Sequence, residues 1–204
     1  MSKIIYLTCS ILICSLSIQA QTFKAGAILG FTASQINGDA DAGFNKPGIE
    51  GGLKALVNIG EKSDLSLEIL FSQRGSKEEA RADGQVQDIY RTAFVAIPVV
   101  YSYKDWLSDT EEYYRLHFHA GLSYGRLISA ELDNDDDNTE FVELWFKNDL
   151  SFLVGATYFA NEHLGFTFRY NRSIFLLYKP EIDHPIIRDP LLPFNLSFHT
   201  LYMF

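Results

Sequence analysis

The last ten residues, "NLSFHTLYMF" (195–204), alternate along almost their whole length up to the final residue, Phe204. Phe198, Tyr202 and Phe204 fall on one face of an extended chain, and Ser197 and His199 fall on the other. A period of two residues is the pattern of a β-strand with one apolar face. Chain ends are usually frayed and polar, so an amphipathic strand that runs to the last residue indicates that this end is held in a sheet.

The two-residue period recurs along most of the chain, with turn-like segments between the repeats. Together with the last stretch it predicts eight strands. They are residues 23–33, 48–60, 64–74, 88–103, 113–130, 148–160, 163–173 and 194–204. The fourth is apolar on both faces in its middle, so the sequence leaves its register open. Pro98 lies there and lacks the N–H of a ladder hydrogen bond, which predicts an edge, a bulge or a strand end.

Long and short connections alternate between these strands. The long ones are roughly residues 34–48, 74–87, 131–147 and 176–192, and the short ones are roughly residues 60–63, 104–112 and 160–162. Outer-membrane barrels combine short periplasmic turns with longer outside loops, and their strands need roughly 9–11 residues to cross the bilayer. The sequence therefore predicts an all-β fold, an eight-stranded antiparallel up-and-down transmembrane β-barrel, in a bacterial outer membrane.

The start of the chain has the composition of a secretory signal peptide. A lysine precedes an apolar run, and the small residue Ala20 ends it. This predicts a cleaved segment 1–20 and an outer-membrane barrel domain of residues 21–204. Cys9 and Cys14 both fall inside the signal, so no disulfide is expected in the mature domain.

Alternation alone does not say which face of the barrel is turned outward. Glycines share the second face with charged residues, which suits a narrow polar lumen, and aromatic residues cluster near strand ends, as membrane interfaces require. These features favour an outward apolar face. The alternative is a soluble periplasmic barrel that binds an apolar ligand inside, as lipocalins do. Its cavity would be lined by Leu65, Phe118, Phe152 and Phe166.

The second face carries charges of both signs. The interior of an eight-stranded barrel is just wide enough for side chains to fill it, and buried opposite charges are expected to pair. We therefore predict a network that plugs the lumen. Its predicted members are Glu50, Lys54, Glu68, Arg91, Arg115 and Arg169. A small passive pore is the alternative.

His117 and His119 lie two residues apart on one face of the fifth strand, and Ser123 lies on the same face. Two imidazoles at this spacing are able to approach one metal ion, and a Ser–His pair is the core of a lipid hydrolase. No third catalytic residue is identifiable, so polar packing in the lumen is the expected role. The sequence predicts no enzyme activity, no metal site and no cofactor.

Charge and loop composition bear on the partners. The net charge of −9 argues against nucleic acid. The segment "ELDNDDDNTE" (131–140) has the odd-position acids of a calcium loop but lacks its glycine and its final glutamate, so a solvated acidic loop is expected. Weak contact with a divalent ion, shared with lipopolysaccharide phosphates, is the alternative. The proline-rich segment 179–193 offers apolar side chains to a protein partner, namely Ile186, Ile187, Leu191 and Leu192. Outer-membrane lipid and lipopolysaccharide are the other expected surroundings of a monomer.

Five short motifs resemble those of a known family. They are "SQINGD" (34–39), "GFNKPGIEGG" (43–52), "DLSLEILFSQRGSK" (64–77), "FVAIPVVYSY" (94–103) and "FRYNRSI" (168–174). Together they resemble the PorT-like outer-membrane β-barrel family, a porin-type family of Bacteroidetes-type bacteria. The resemblance implies an integral outer-membrane barrel without a catalytic motif. The family's namesake assists a protein-secretion system, but most members have no assigned activity, so the resemblance alone does not transfer that role. The expected function is a structural or surface-binding role, with an accessory role in a membrane assembly or secretion system as one form of it.

The last strand looks like the signal that the barrel assembly machinery of the outer membrane reads. That signal is a terminal aromatic residue preceded by alternating apolar positions, here Phe204, Tyr202, Phe198 and Leu196. In physical terms, the last strand pairs with the machinery as an added strand. It then closes against the first strand and removes both open edges.

Overall fold

In the computed structural model, the described part of the chain consists of β-strands and their short connections. The structure describes residues 23–37, 46–77, 89–108, 112–133, 138–140, 147–175 and 192–204. The strands are β1 (Phe23–Asn37), β2 (Lys46–Gly60), β3 (Ser63–Lys77), β4 (Ile89–Leu107), β5 (Tyr114–Asp133), β6 (Asn138–Glu140), β7 (Asn148–Phe159), β8 (Leu164–Ser173) and β9 (Leu192–Met203). The predicted signal segment 1–20 lies outside these residues. Within them, no helix is long and apolar enough to cross a membrane.

Eight of the strands close into an antiparallel barrel, and β6 only extends the ladder at the end of β5. Closure comes from the pairing of β1 with β9 and of β4 with β5. The paired residues can be followed from Lys24 of β1 through all eight strands, and this path returns to β1 at Ser34. The strands are therefore staggered by ten residues (34 − 24) over one full turn of the barrel. This stagger corresponds to a strand tilt of about 40° and a barrel radius of about 8 Å. The predicted fold class is confirmed.

The two ends of the barrel differ. The β2–β3, β4–β5 and β7–β8 connections lie at one end, which we call the short-turn end, together with Phe23 and Phe204. The strand ends that the other connections join lie at the opposite end, which we call the long-loop end. Consecutive strands are antiparallel neighbours, so successive connections join strand ends at opposite ends of the barrel. The alternation of connection lengths in the sequence therefore separates the short connections from the long ones.

The apolar face of the alternation points outward. Leu65, Phe118, Phe152 and Phe166 are all exposed on the outside of the barrel, so they do not line a cavity. The soluble, ligand-binding alternative is therefore wrong. Serine, threonine, asparagine and charged side chains are buried inside the barrel instead, because successive side chains of a strand point to opposite faces.

Pro98 lies in the middle of β4, so the predicted edge, bulge or strand end at this position is wrong. The ladder between β3 and β4 passes from the Leu67–Val99 pair to the Leu70–Ala96 pair without a change of register. The missing proline N–H therefore interrupts the ladder locally and does not end it. Neighbouring pairs on both sides keep the strand in place.

The long-loop end extends further than the sequence predicts. β4 and β5 have 19 and 20 residues, about twice the number that a crossing needs. β5 continues to Asp133, and β6 folds back on it with Glu131 opposite Glu140. The acidic segment 131–140, predicted as a loop, is thus partly a β-hairpin. Residues 134–137, and the predicted partner-binding residues Ile186, Ile187 and Leu191, lie outside the described part of the chain.

Candidate functional site

An ion-pair cluster crosses the middle of the lumen. Glu68 accepts two hydrogen bonds from the Arg169 guanidinium, at 2.8 and 3.1 Å, and one from Lys54 Nζ at 3.2 Å. The Glu68 and Arg169 side chains are 0% and 3% exposed. Glu68 is on β3 and Arg169 is on β8, which is reached after four steps in either direction around the barrel (β2, β1, β9, β8 or β4, β5, β7, β8). The pair therefore joins opposite walls.

Gly155 of β7 makes room for this cluster. It lies between His119 of β5 and Arg169 of β8 in one row of paired residues. A Cβ atom at Gly155 would lie 2.6 Å from His119 Nε2 and 3.0 Å from Arg169 Cα. Because glycine has no side chain, His119 and Arg169 approach over it, and Arg169 Nε donates to His119 Nε2 at 3.5 Å.

A second polar cluster lies toward the long-loop end. Glu50 accepts a hydrogen bond from Ser72 Oγ at 2.5 Å. His199 Nε2 lies 2.6 Å from the other Glu50 carboxylate oxygen, at an angle outside hydrogen-bond geometry. Arg74 Nε donates to Ser72 Oγ at 3.1 Å, and Arg74 Nη1 donates to Asp149 Oδ2 at 3.3 Å. These five side chains, from β2, β3, β7 and β9, form a continuous polar layer across the lumen.

Apolar side chains pack inside the barrel beside the ion pairs. They are Ile28, Leu70, Ala96, Phe159, Leu201 and Met203, with Leu56 and Tyr113 against them. A recess of about 280 Å³ remains at the short-turn mouth, with Lys24, Asp64, Lys104 and His117 among its lining residues. The ion pairs and these apolar side chains thus occupy the middle of the lumen, and a recess opens at the short-turn mouth.

Four of the six predicted network residues lie in these clusters, and two do not. Arg91 is exposed on the outward face of β4, opposite Glu131, so its predicted place in the lumen is wrong. Exposed and buried side chains alternate regularly along β4, so Arg91 points outward together with Val95 and Val99. Arg115 lies at the short-turn mouth, where Nη2 donates to Ser108 Oγ at 3.4 Å, well away from Glu68.

The sequence reasoning missed the other three acidic or basic members of the second cluster, Arg74, Asp149 and His199. Each has the inward parity of its predicted strand, so the alternation was the signal that could have identified them. Arg74 and Asp149 are at the ends of their predicted strands, where parity is least certain. His199 was placed on the polar face of the last strand but was not assigned to the network.

His117, His119 and Ser123 do not converge on one point. His117 Nε2 lies 3.2 Å from the Tyr114 carbonyl oxygen, and its ring packs on Phe159 at a centroid distance of 4.6 Å. His119 contacts Arg169 instead, and Ser123 is four residues further along β5, roughly 13 Å away. Among the residues that the structure describes, no group of three or more His, Cys, Asp or Glu side chains is arranged to hold a metal ion.

The outward side chains form an apolar belt around the barrel. Aromatic rings contact one another in it as the pairs Phe31–Phe198 (5.2 Å), Phe168–Phe198 (5.0 Å), Phe152–Tyr170 (6.2 Å), Trp106–Tyr158 (6.3 Å) and Tyr202–Phe204 (5.8 Å). The last two pairs lie near the short-turn end. An outward apolar belt with aromatic residues at its rims, around a polar interior, is the surface of a β-barrel embedded in a membrane.

Comparison with known proteins identifies the family within this class. The chain belongs to the outer membrane protein beta-barrel domain family, whose sequence profile matches residues 19–178. This family match confirms the predicted location in the bacterial outer membrane. No curated protein matches the sequence.

Two solved outer-membrane proteins share the fold. Ail, the attachment invasion locus protein of Yersinia pestis, is 11% identical, and the alignment covers 89% of this chain and 98% of Ail with a TM-score of 0.54. Neisserial surface protein A is 12% identical, with 91% and 100% covered and a TM-score of 0.56. At these identities the similarity extends to the fold alone.

Proposed function

We propose that this protein is a non-enzymatic, monomeric outer-membrane barrel with a closed lumen, which anchors a surface-exposed binding region in the membrane. The observation that supports a closed lumen is the buried Glu68–Arg169 pair, whose bidentate hydrogen bonds join opposite walls of the barrel. Side chains from one wall therefore meet side chains from the other at the centre.

The dimensions of the barrel agree with this proposal. A backbone radius of about 8 Å leaves room for one layer of side chains from each wall. Opening an ion path would separate Glu68 from Arg169 and leave both buried charges uncompensated, which costs several kcal/mol. The resting barrel is therefore expected not to conduct ions.

Conductance of the purified barrel in planar lipid bilayers tests the proposal. Wild-type protein is expected to give no stepwise conductance. The double variant Glu68→Ala/Arg169→Ala removes both halves of the bridge, and water is expected to fill the space and give ion-conducting steps. Arg172→Ala is the matched control, because Arg172 lies on the same strand but faces outward. Stepwise conductance of the wild-type protein would favour the small-pore alternative.

We further propose that the binding region is the long-loop end and that it faces the cell exterior, since barrels of this class keep their short turns in the periplasm. β4 and β5 extend this end with 19 and 20 residues. We propose that a protein, such as a component of a membrane or secretion assembly, binds at this extended end.

Photo-crosslinking in intact cells tests the partner proposal. A photoreactive residue at Arg91, exposed near the long-loop end of β4, is expected to capture a discrete protein. The same residue at Leu53, which is 62% exposed within the apolar belt, is expected to meet lipid and capture none. Identical patterns from the two sites would contradict a partner at the long-loop end.

A further inference from the structure

The turn between β7 and β8 is shaped by one asparagine side chain. Asn161 Oδ1 accepts hydrogen bonds from the backbone N–H groups of His163, at 2.9 Å, and of Leu164, at 2.8 Å. Ala160 N donates to the Leu164 carbonyl oxygen at 2.8 Å. Asparagine side chains stabilise turns by hydrogen bonds of this local kind. All three contacts lie within the turn, so its conformation does not depend on β9 or β1.

His163 holds the end of the last strand with both its backbone and its ring. The His163 carbonyl oxygen accepts a hydrogen bond from Met203 N at 2.7 Å, and His163 Nδ1 lies 2.8 Å from the Met203 carbonyl oxygen. In a regular antiparallel pair, the backbone N–H of His163 would donate to that oxygen. Asn161 accepts from this N–H instead. The imidazole takes its place as the donor, because a carbonyl oxygen only accepts hydrogen bonds.

The same imidazole packs against the aromatic residues at the end of the chain. The His163 and Tyr202 rings are stacked, with centroids 5.8 Å apart and planes 22° apart. Tyr202 in turn contacts the Phe204 ring edge-on at 5.8 Å. Tyr202 and Phe204 are two of the four residues of the predicted assembly signal. One residue of a short turn thus contacts the backbone of Met203 and the first ring of this aromatic pair.

The other edge of the last strand closes the barrel. Phe204 N donates to the Ala25 carbonyl oxygen of β1 at 2.8 Å. These two residues are 179 positions apart (204 − 25), whereas His163 and Met203 are 40 positions apart. The entropy lost in bringing two segments together rises with the length of chain between them, and local contacts form sooner than distant ones. The contact with His163 is therefore favoured to form before β1 reaches β9.

We propose that His163 is a latch for the last strand, which fixes the end of β9 on the β7–β8 turn before β1 closes the barrel. With the latch formed, β9 presents its open edge in the register that closure needs, with Met203 opposite Gly26. His163 acts through β9 and is a positioning residue for closure. This goes beyond the anchor proposed above, because it concerns the assembly of the wall and holds whether or not the lumen conducts ions.

Refolding and unfolding rates of the purified barrel in lipid vesicles test the latch. His163→Phe keeps an aromatic ring against Tyr202 and removes the Nδ1 donor. Closure is followed by the mobility of unboiled samples on gels. Wild-type protein is expected to close about fivefold faster than His163→Phe, the factor that corresponds to one hydrogen bond of about 1 kcal/mol. Unfolding rates are expected to be similar, because a contact formed before closure changes the folding rate.

Two further variants separate the hydrogen bond from other effects of the substitution. His163→Gln offers an amide N–H to the Met203 carbonyl oxygen and is expected to recover most of the wild-type closure rate. Glu162→Gln removes the carboxylate that lies 3.3 Å from His163 Nε2 and keeps the latch, so it is expected to close at the wild-type rate. Asn161→Ala removes the acceptor that shapes the turn and is expected to slow closure as His163→Phe does.

Hydrogen exchange of the Met203 amide establishes that the latch is lost in His163→Phe, where exchange is expected to be about fivefold faster than in the wild-type protein. Closure of His163→Phe at the wild-type rate would overturn the proposal, whether or not its unfolding is faster, since the contact would then form only after closure. Equally slow closure of Glu162→Gln would also overturn it, because that result would reflect a general disturbance of the turn.

Discussion

Replacement of Glu68 by glutamine is expected to destabilise the barrel more than any other single change in the central cluster. Glutamine has nearly the size of glutamate, so the change removes the charge and keeps the packing. The Arg169 and Lys54 side chains, 3% and 10% exposed, then remain in the lumen without the carboxylate that both contact. Removal of one partner from a buried ion pair costs about 3–5 kcal/mol of unfolding free energy.

The geometry also predicts the order of the related variants. Lys54→Met leaves the bidentate Glu68–Arg169 pair intact and removes one contact of 3.2 Å, so a loss of about 1–2 kcal/mol is expected. Glu68→Gln/Arg169→Gln removes a negative and a positive charge together. This double variant is expected to lose less stability than Glu68→Gln alone, because fewer buried charges stay uncompensated.

Urea unfolding of the barrel in thin lipid vesicles measures these differences. Tryptophan fluorescence and the mobility of unboiled samples on gels report the transition, and linear extrapolation gives the free energy of unfolding. The reasoning would be refuted if Glu68→Gln were no more destabilising than Lys54→Met. It would also be refuted if the double variant were less stable than Glu68→Gln.

Three further changes test the belt, the packing of the lumen and the end of the chain. Gly155→Val places side-chain atoms on the Phe168 carbonyl oxygen, which a Cβ would already approach to 2.3 Å, and is expected to lower the unfolding free energy by about 2 kcal/mol or more in the urea assay. Leu53→Arg puts a charge in the lipid-facing belt and is expected to cost about 2–4 kcal/mol in the same assay. Phe204→Ser is expected to lower the amount of folded barrel in cells with little effect on the stability of refolded protein, because the Phe204 side chain is 68% exposed.

Each of these has a matched control. At Gly60 the nearest atom to an added Cβ is 3.7 Å away, so Gly60→Ala is expected to be nearly neutral, and equal effects at the two glycines would contradict the packing argument. Ile59 lies at the short-turn rim, where an introduced arginine is expected to lower the unfolding free energy by only about 0–1 kcal/mol. If Ile59→Arg cost as much as Leu53→Arg, that result would argue against a lipid-facing belt. A Phe204→Ser barrel that is strongly destabilised after refolding would show a packing role for Phe204 in place of an assembly signal.

The alternation of the sequence predicted most of the fold because strand periodicity is a local property. Leu53, Ile69, Phe118 and Phe168 face outward as their parity predicts. The same argument failed around residues 94–100, where apolar side chains occupy both faces of β4 and the sequence contains no contrast to read. Arg91 was misplaced for this reason. Pro98 was predicted to mark an edge, a bulge or a strand end, but the paired residues on both sides continue the ladder past it.

By itself, the sequence determined the number of barrel strands, the face that meets the membrane, and the polar character of the lumen, because these depend on side-chain order along each strand. It also determined the division into short and long connections. Only the tertiary structure decided which charges meet. Glu68 and Arg169 are 101 residues apart, and the stagger of ten residues around the closed barrel brings them to the same level on opposite walls. That stagger comes from backbone pairing around the whole sheet, so no local pattern of residues contains it.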